Sequence, residues 1–134
     1  FPGIRAYMEA AKAEARSKGY VTTLFGRRAH YPGITDKNPA MRAFNERAAI
    51  NAPIQGAAAD VMRRAMIRMP AALEREGLAT RMLLQVHDEL VFELPEGEVD
   101  WLKTHIPRLM AEVAALKVPL LAEVGVGANW DKAH

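Results

Sequence analysis

The change in hydrophobic period between residues 80 and 94 most limits the folds open to this chain. Two apolar runs, Met82–Val86 and Leu90–Leu94, are separated by the polar residues His87-Asp88-Glu89. Short apolar runs on either side of a tight polar step are typical of a β-hairpin. This segment therefore predicts an antiparallel strand pair within a chain that is otherwise largely helical in pattern.

On both sides of this segment, apolar residues recur at the spacing of an α-helix. Residues 2–18 predict an amphipathic helix that ends at Gly19, and residues 98–116 predict another. Residues 20–31 predict a small hairpin, and Pro119–Val124 predicts a last strand. The predicted fold class is therefore mixed α/β (α+β), with helices and a largely antiparallel sheet.

Prolines divide the predicted helical region in the middle of the chain. Asn38-Pro39 is a pattern typical of a helix start. Pro53 lacks an N–H group and its ring clashes with the preceding turn, so we expect a break or kink just before it. A separate Ala-rich helix is predicted over residues 55–69. The expected apolar positions of the first of these helices are Met41, Phe44 and Ala48.

Composition excludes several classes of site. The 134 residues include no cysteine, so disulfides and thiolate metal sites are excluded, and carboxylates and the four histidines remain as possible ligands. The absence of cysteine predicts a reducing, intracellular compartment. We expect no membrane partner, because no apolar run approaches the roughly 18 residues of a membrane helix. Because the chain begins with Phe1, we also expect it to be a piece of a longer protein.

The net charge of +2 conceals an uneven distribution. Residues 1–81 carry 14 basic and 7 acidic side chains, whereas residues 82–134 carry 4 basic and 9 acidic ones. Such an uneven distribution of charge suggests that one surface binds an anion. Two solvated faces of opposite charge are the simpler interpretation.

Two adjacent carboxylates lie at the tip of the predicted hairpin. A tight two-residue turn favours Asn-Gly or Asp-Gly because both positions need positive φ, so Asp88-Glu89 is a poor turn sequence. The two charges repel each other unless a cation lies nearby. Hard oxygen ligands suit Mg²⁺ or Mn²⁺, as in phosphoryl transfer. A solvated acidic turn is the alternative.

Three side chains with hydrogen-bond donors recur at a spacing of four residues: Arg47, Asn51 and Gln55. They lie along one helical stripe if the backbone stays helical past Pro53. Such donors suit the DNA minor groove, where every base pair offers acceptors at similar positions. Further arginines nearby suit phosphates or are ordinary solvated side chains, namely Arg42, Arg63, Arg64 and Arg68.

Together these segments resemble the C-terminal end of bacterial DNA polymerases of family A. The resemblance covers essentially the whole chain, and several spaced motifs are more specific than any one of them. Residues 131–134 resemble the natural C-terminus of the family. The matching stretches are Gly19–Arg28, Arg47–Asp60, Gln85–Glu93, Val118-Pro-Leu and Asn129-Trp130.

The resemblance implies a partial polymerase palm over residues 38–134, preceded by the end of the fingers subdomain over residues 1–37. His87-Asp88-Glu89 matches the palm segment usually called motif C. It implies three catalytic residues: Asp88 as a ligand of the catalytic Mg²⁺ ions, Glu89 as an accessory acid, and His87 beside the primer 3′ end. Residues that match positions contacting primer–template DNA are Arg47, Asn51, Gln55 and His87.

The implied activity is template-directed nucleotidyl transfer to a primer 3′-OH with two divalent metals. The implied partners are primer–template DNA, deoxynucleoside triphosphates and the remainder of the polymerase chain, in the bacterial cytoplasm at the nucleoid. The family's second Asp motif and its nucleotide-binding fingers helix have no match here. We therefore expect the chain alone to be inactive.

Two other functions stay open on the sequence. A non-catalytic module that binds duplex nucleic acid would need the basic residues but neither Asp88 nor magnesium. A structural or interaction fragment would use the uneven charge only for solubility.

Overall fold

The computed structural model describes all 134 residues, which form two compact units, residues 1–60 and 61–134. None of the helices combines the length and the apolar character that crossing a membrane requires. Short 3-10 turns cover Pro32–Thr35 and Glu96–Glu98. The remaining elements are α1 (Pro2–Lys18), β1 (Tyr20–Thr22), β2 (Arg28–His30), α2 (Pro39–Arg75), β3 (Arg81–Val86), β4 (Glu89–Glu93), α3 (Val99–Ala111) and α4 (Trp130–Ala133).

The first unit begins as the sequence predicts. Helix α1 ends where Gly19 adopts a φ of 78°, and the Gly19 N–H donates to the carbonyl of Ala15 at 2.9 Å. Glycine takes this left-handed conformation without a steric penalty, so it ends the helix readily. Strands β1 and β2 pair antiparallel, which confirms the predicted hairpin. The core of this unit consists of Ala15, Val21, Ile34 and Ala49.

Helix α2 continues through both of its internal prolines for 37 residues, so the predicted break before Pro53 is wrong. A proline inside a helix costs about 3 kcal/mol, because it removes a hydrogen bond and crowds the preceding turn. Packing outweighs this cost, since Ala49 is fully buried in the first unit and Met69 in the second. The Tyr7 hydroxyl also donates to the Ile50 carbonyl at 2.7 Å, just before Pro53.

The buried face of the first part of α2 also differs from the prediction. Met41 and Phe44 are exposed, whereas Asn45 is buried. The turn Pro32–Thr35 explains the difference, because an ideal Cβ built on Gly33 would lie 2.6 Å from the Asn45 amide nitrogen. Since the backbone comes so close, a small polar side chain that bonds its own helix fits here and a large apolar one does not.

The second unit packs the predicted β3–β4 hairpin against helices. The two strands pair antiparallel, with an irregularity between Met82 and Leu84. Helix α3 occupies most of the predicted helical region but ends at Ala111. The core consists of Met69, Leu73, Leu102 and Ile106, and the hairpin residues Met82, Leu90 and Phe92 pack against it.

The last strand predicted over residues 119–124 does not form. Leu121 is exposed, and no neighbouring strand pairs with this segment. A strand needs such a neighbour to satisfy its N–H and C=O groups, so an apolar run alone does not make one. The chain instead folds back onto α4, and a Cβ on Gly125 would collide with the carbonyl of Ala133.

Candidate functional site

The tip of the β3–β4 hairpin is a two-residue turn made of His87 and Asp88. The sequence had suggested a turn made of Asp88 and Glu89. Val86 instead pairs with Glu89, so Glu89 is the first residue of β4 and lies outside the turn. The register places the turn one residue earlier than expected. His87 has a φ of 53° and is the only residue other than glycine with a positive φ. Glycine is favoured at such a position, and other residues cost about 1–2 kcal/mol there.

The two acids at this tip have different surroundings. Asp88 is exposed and makes no ion pair within the chain. Glu89 is half-buried, and its Oε1 lies 3.4 Å from Nδ1 of His134, at the end of α4. The Gln85 amide donates to the carbonyl of His87 across the turn. The turn therefore presents the unpaired Asp88 carboxylate to solvent, and the first residue of β4 holds a second carboxylate beside an imidazole.

These carboxylates suit a divalent cation only as part of a larger ligand set. Asp88 and Glu89 supply hard oxygen donors of the kind that Mg²⁺ prefers. No group of three or more His, Asp or Glu side chains in the chain is arranged to hold a metal ion. Mg²⁺ commonly takes one or two carboxylates together with water and substrate phosphates, so the pair fits a shared site.

Arg47, Asn51 and Gln55 lie on successive turns of α2 and line one cleft in the first unit. The unbroken helix at Pro53 meets the condition on which their common stripe depended. All three side chains are exposed, and no hydrogen bond or ion pair with the rest of the chain engages them. The cleft has a volume of about 680 Å³, and Phe44 and Tyr31 also line it. Its wall thus offers a row of available donors beside aromatic surface.

Sequence reasoning missed a polar network beside this cleft. The buried carboxylate of Asp60 accepts hydrogen bonds from the Thr23 hydroxyl at 2.6 Å and from Nε of Arg27 at 2.8 Å. Nη2 of Arg27 also donates to the carbonyl of Gly56 at 3.2 Å. The signal in the sequence is a single acid in an otherwise Ala-rich helical stretch, since a charge there is rarely buried without partners.

Two of the arginines considered for phosphate binding donate hydrogen bonds within the second unit instead. Nη1 of Arg64 donates to the carbonyl of Val113 at 3.1 Å, and Nη1 of Arg68 donates to the carbonyl of Glu112 at 3.4 Å. Both carbonyls lie just beyond the last residue of α3, so Arg64 and Arg68 hold the segment that follows this helix. Arg63 is simply exposed.

Comparison with known proteins places the chain in a family. A sequence model described as DNA polymerase family A matches residues 1–132. The chain belongs to DNA polymerase family A. It is 58% identical over 140 residues to DNA polymerase I of Rhizobium leguminosarum, covering 100% of the chain and 14% of that protein. It is 53% identical over 134 residues to DNA polymerase I of Pseudomonas aeruginosa, covering 100% of the chain and 15% of that protein.

A solved structure agrees with this family A assignment. The POL domain of Pol1 from M. smegmatis, in complex with DNA primer-template and dNTP, matches with a TM-score of 0.95 and 45% identity. The match covers 99% of the chain and 24% of that structure. The mixed fold of helices and small antiparallel sheets predicted from the sequence is therefore confirmed as a partial polymerase fold. The family A chain spans about 15% of the length of the relatives it matches.

Proposed function

We propose that this chain is part of a DNA-directed DNA polymerase, which extends a primer 3′ end as a template strand directs. The observation that carries this proposal is the match of 99% of the chain, at a TM-score of 0.95, to a polymerase domain bound to primer-template and dNTP. The proposed partners are primer–template DNA, deoxynucleoside triphosphates and the remainder of the polymerase. Residues 1–37 are assigned to the end of the fingers subdomain and residues 38–134 to the palm.

The proposal assigns catalysis to the hairpin tip. Asp88 would hold a divalent metal ion, and its exposed carboxylate is available for this because it makes no ion pair within the chain. Glu89 is the accessory acid, and His134 lies against it. Bound Mg²⁺ stabilises the attacking and leaving oxygens of phosphoryl transfer. No group of three or more acids and histidines in the chain is arranged to hold a metal ion. The proposal therefore takes the remaining ligands from water, the substrate phosphates and the rest of the polymerase.

The proposal assigns DNA binding to the cleft. Arg47, Asn51 and Gln55 donate hydrogen bonds to minor-groove acceptors, which occupy similar positions in every correct base pair. A mispair moves those acceptors, so the three donors test duplex geometry without reading sequence. His87 contacts the primer terminus from the hairpin turn. In this way the chain positions the primer, which is the main contribution a protein makes to phosphoryl transfer.

In the proposed reaction, the primer 3′ oxygen forms a bond to the α-phosphorus of a deoxynucleoside triphosphate. The bond from that phosphorus to the bridging oxygen breaks, and pyrophosphate leaves. The hydroxyl proton is lost as the new ester forms. Asp88 and Glu89 would hold the cation, which would supply positive charge to the phosphates, and the residues of the cleft would bind the primer–template duplex.

The decisive experiment compares two variants of the full-length polymerase that carries this chain. Asp88→Asn is expected to reduce magnesium-dependent primer extension by at least about a hundredfold, because a charged metal ligand is lost. Its affinity for primer–template should stay within about threefold of the unchanged enzyme. Gln55→Ala should weaken DNA binding about three- to tenfold on all template sequences alike, as expected for one lost hydrogen bond.

Glu93→Gln is the matched control, because it removes an acid of the same hairpin far from the tip, where Glu93 pairs with Arg81. This variant should extend primers normally. Full extension by Asp88→Asn would contradict the catalytic assignment and leave a non-catalytic duplex-binding module as the better account. A strong dependence of the Gln55→Ala defect on base identity would contradict the assignment to the minor groove.

A further inference from the structure

A buried carboxylate ties the loop between β1 and β2 to helix α2. Asp60 accepts the Thr23 hydroxyl on Oδ2 and the Arg27 Nε–H on Oδ1. The Thr23 hydroxyl oxygen in turn accepts the backbone N–H of Arg27 at 3.2 Å. A charge that is removed from water and lacks such partners is strongly destabilising, so the loop and the helix depend on each other at this point.

The loop meets α2 at the turn that carries a DNA-facing donor. An ideal Cβ on Gly56 would lie 2.5 Å from the Thr23 methyl carbon, so only glycine leaves room for this approach. Arg27 donates to the carbonyl of the same glycine. Gln55 is the preceding residue of the helix, and Thr23, Arg27, Gln55 and Gly56 line the same cleft. The loop is therefore fastened directly beside Gln55.

The contacts of Arg27 indicate that it positions other groups. Its Nε and Nη2 donate within the protein, and the ion pair with Asp60 at 2.8 Å offsets its charge. A guanidinium that binds a DNA phosphate would instead keep its charge and its planar donors available. The Arg27 side chain is half-exposed at the cleft, but its contacts are with Asp60 and Gly56 of the protein itself.

We propose that Thr23, Arg27 and Asp60 form a positioning network. This network fixes the position of the α2 turn that carries Gln55 in the cleft, and so sets the affinity for duplex DNA. This inference rests on the proposed function, because it acts through a residue assigned to the minor groove. None of the three residues touches DNA in the proposal. Their effect on binding is transmitted through the position of Gln55.

Thr23→Val in the full-length polymerase tests the network, because valine keeps the shape of threonine but removes the donor to Asp60. The dissociation constant for primer–template is expected to rise about three- to tenfold. Thr23→Ser, which keeps the hydroxyl, should restore binding to within twofold. Thr22→Val is the matched control, since it makes the same change one residue earlier and outside the cleft, and it should leave binding unchanged.

A double variant separates positioning from a general loss of structure. In a Gln55→Ala background, Thr23→Val should change DNA affinity by less than about twofold, because the group it positions is already gone. Arg27→Met supplies a second route if Thr23→Val folds poorly. Its dissociation constant should rise while the slope of log Kd against log salt concentration stays unchanged.

Three results would overturn the network. These are unchanged affinity in both Thr23→Val and Arg27→Met, equal effects of Thr23→Val with and without Gln55, or an Arg27→Met salt slope reduced by about one, which marks a phosphate contact. If Gln55→Ala alone leaves affinity unchanged, the proposed function of the cleft fails. If Gln55→Ala weakens binding but the network variants do not, only the present inference fails.

Discussion

His87 adopts a backbone conformation that its side chain disfavours, and it does so beside the carboxylate assigned to metal binding. Its φ of 53° is the only positive value outside glycine. Strained residues of this kind cost about 1–3 kcal/mol and persist where the surrounding structure enforces them, often at functional sites. Here the pairing of Val86 with Glu89 leaves only two residues to reverse the chain. The strain therefore follows from the register of the hairpin.

At this position glycine should be more stable than alanine, in contrast to ordinary strand positions. We expect His87→Gly to exceed His87→Ala in free energy of unfolding by about 1 kcal/mol, because alanine keeps the Cβ that disfavours positive φ. Urea unfolding of the 134-residue chain, followed by circular dichroism, measures the difference.

The neighbouring strand residue supplies the control for this comparison. Gln85→Gly and Gln85→Ala lose the same side-chain hydrogen bond, and here alanine should be the more stable variant. If alanine equals or exceeds glycine at position 87 as well, the left-handed conformation does not limit stability there.

At the scale of elements, the base of the β3–β4 hairpin is secured by an acid from the turn that precedes α3. The Glu98 carboxylate accepts the backbone N–H of Thr80 at 2.9 Å and its hydroxyl at 2.6 Å, and it also accepts the N–H of Ala79. The hydroxyl of Thr80 is the main cause that lowers the pKa of Glu98 below its ordinary value, and the two N–H groups lower it further. The pattern of apolar runs contains no sign of this contact.

The lowered pKa of Glu98 makes the hairpin sensitive to acid. Its contribution to stability is present above the unfolded-state pKa of about 4.5 and is lost as pH falls through the lower folded-state value. The urea midpoint of the chain should therefore decrease below about pH 4.5, and the decrease should be smaller in Glu98→Gln. Thr80→Val, which removes only the hydroxyl donor, should be intermediate. Identical pH profiles for the unchanged chain, Glu98→Gln and Thr80→Val would contradict this explanation.

At the scale of the whole molecule, the chain has two units with separate cores, but it matches only a small part of a DNA polymerase I chain. The hairpin contributes two carboxylates, and no group of three or more acids and histidines in the chain is arranged to hold a metal ion. The relatives are about seven times longer, since the chain covers 14–15% of their length. In the proposed function, other segments of the polymerase supply ligands of the metal site, and the isolated chain lacks those segments.

The isolated 134-residue chain should therefore extend no primer. With primer–template, deoxynucleoside triphosphates and magnesium, we expect no product above the buffer control, whereas the full-length enzyme extends under the same conditions. Gel analysis of a labelled primer measures the product. Magnesium-dependent extension by the isolated chain that disappears in Asp88→Ala would refute the need for further ligands.

Much of the fold follows from patterns within a few residues of each other. The Gly19 helix end, both hairpins and the stripe of Arg47, Asn51 and Gln55 were predictable, because helix caps, turns and the helical repeat depend on neighbours along the chain. The resemblance to family A likewise rested on motifs that can be recognised in the sequence. What these residues do in catalysis and binding stays a prediction.

Long-range contacts decided the rest. Pro53 is helical because residues on both sides of it are buried in cores, residues 119–124 are not a strand because no strand lies beside them, and Asp60 is tolerated because Thr23 and Arg27 reach it. In each case the outcome depends on whether a partner distant in sequence is present, and the energy of such a contact is comparable to or larger than the local preference. The sequence by itself determined the family and the local elements, and only the tertiary structure determined which polar groups find partners.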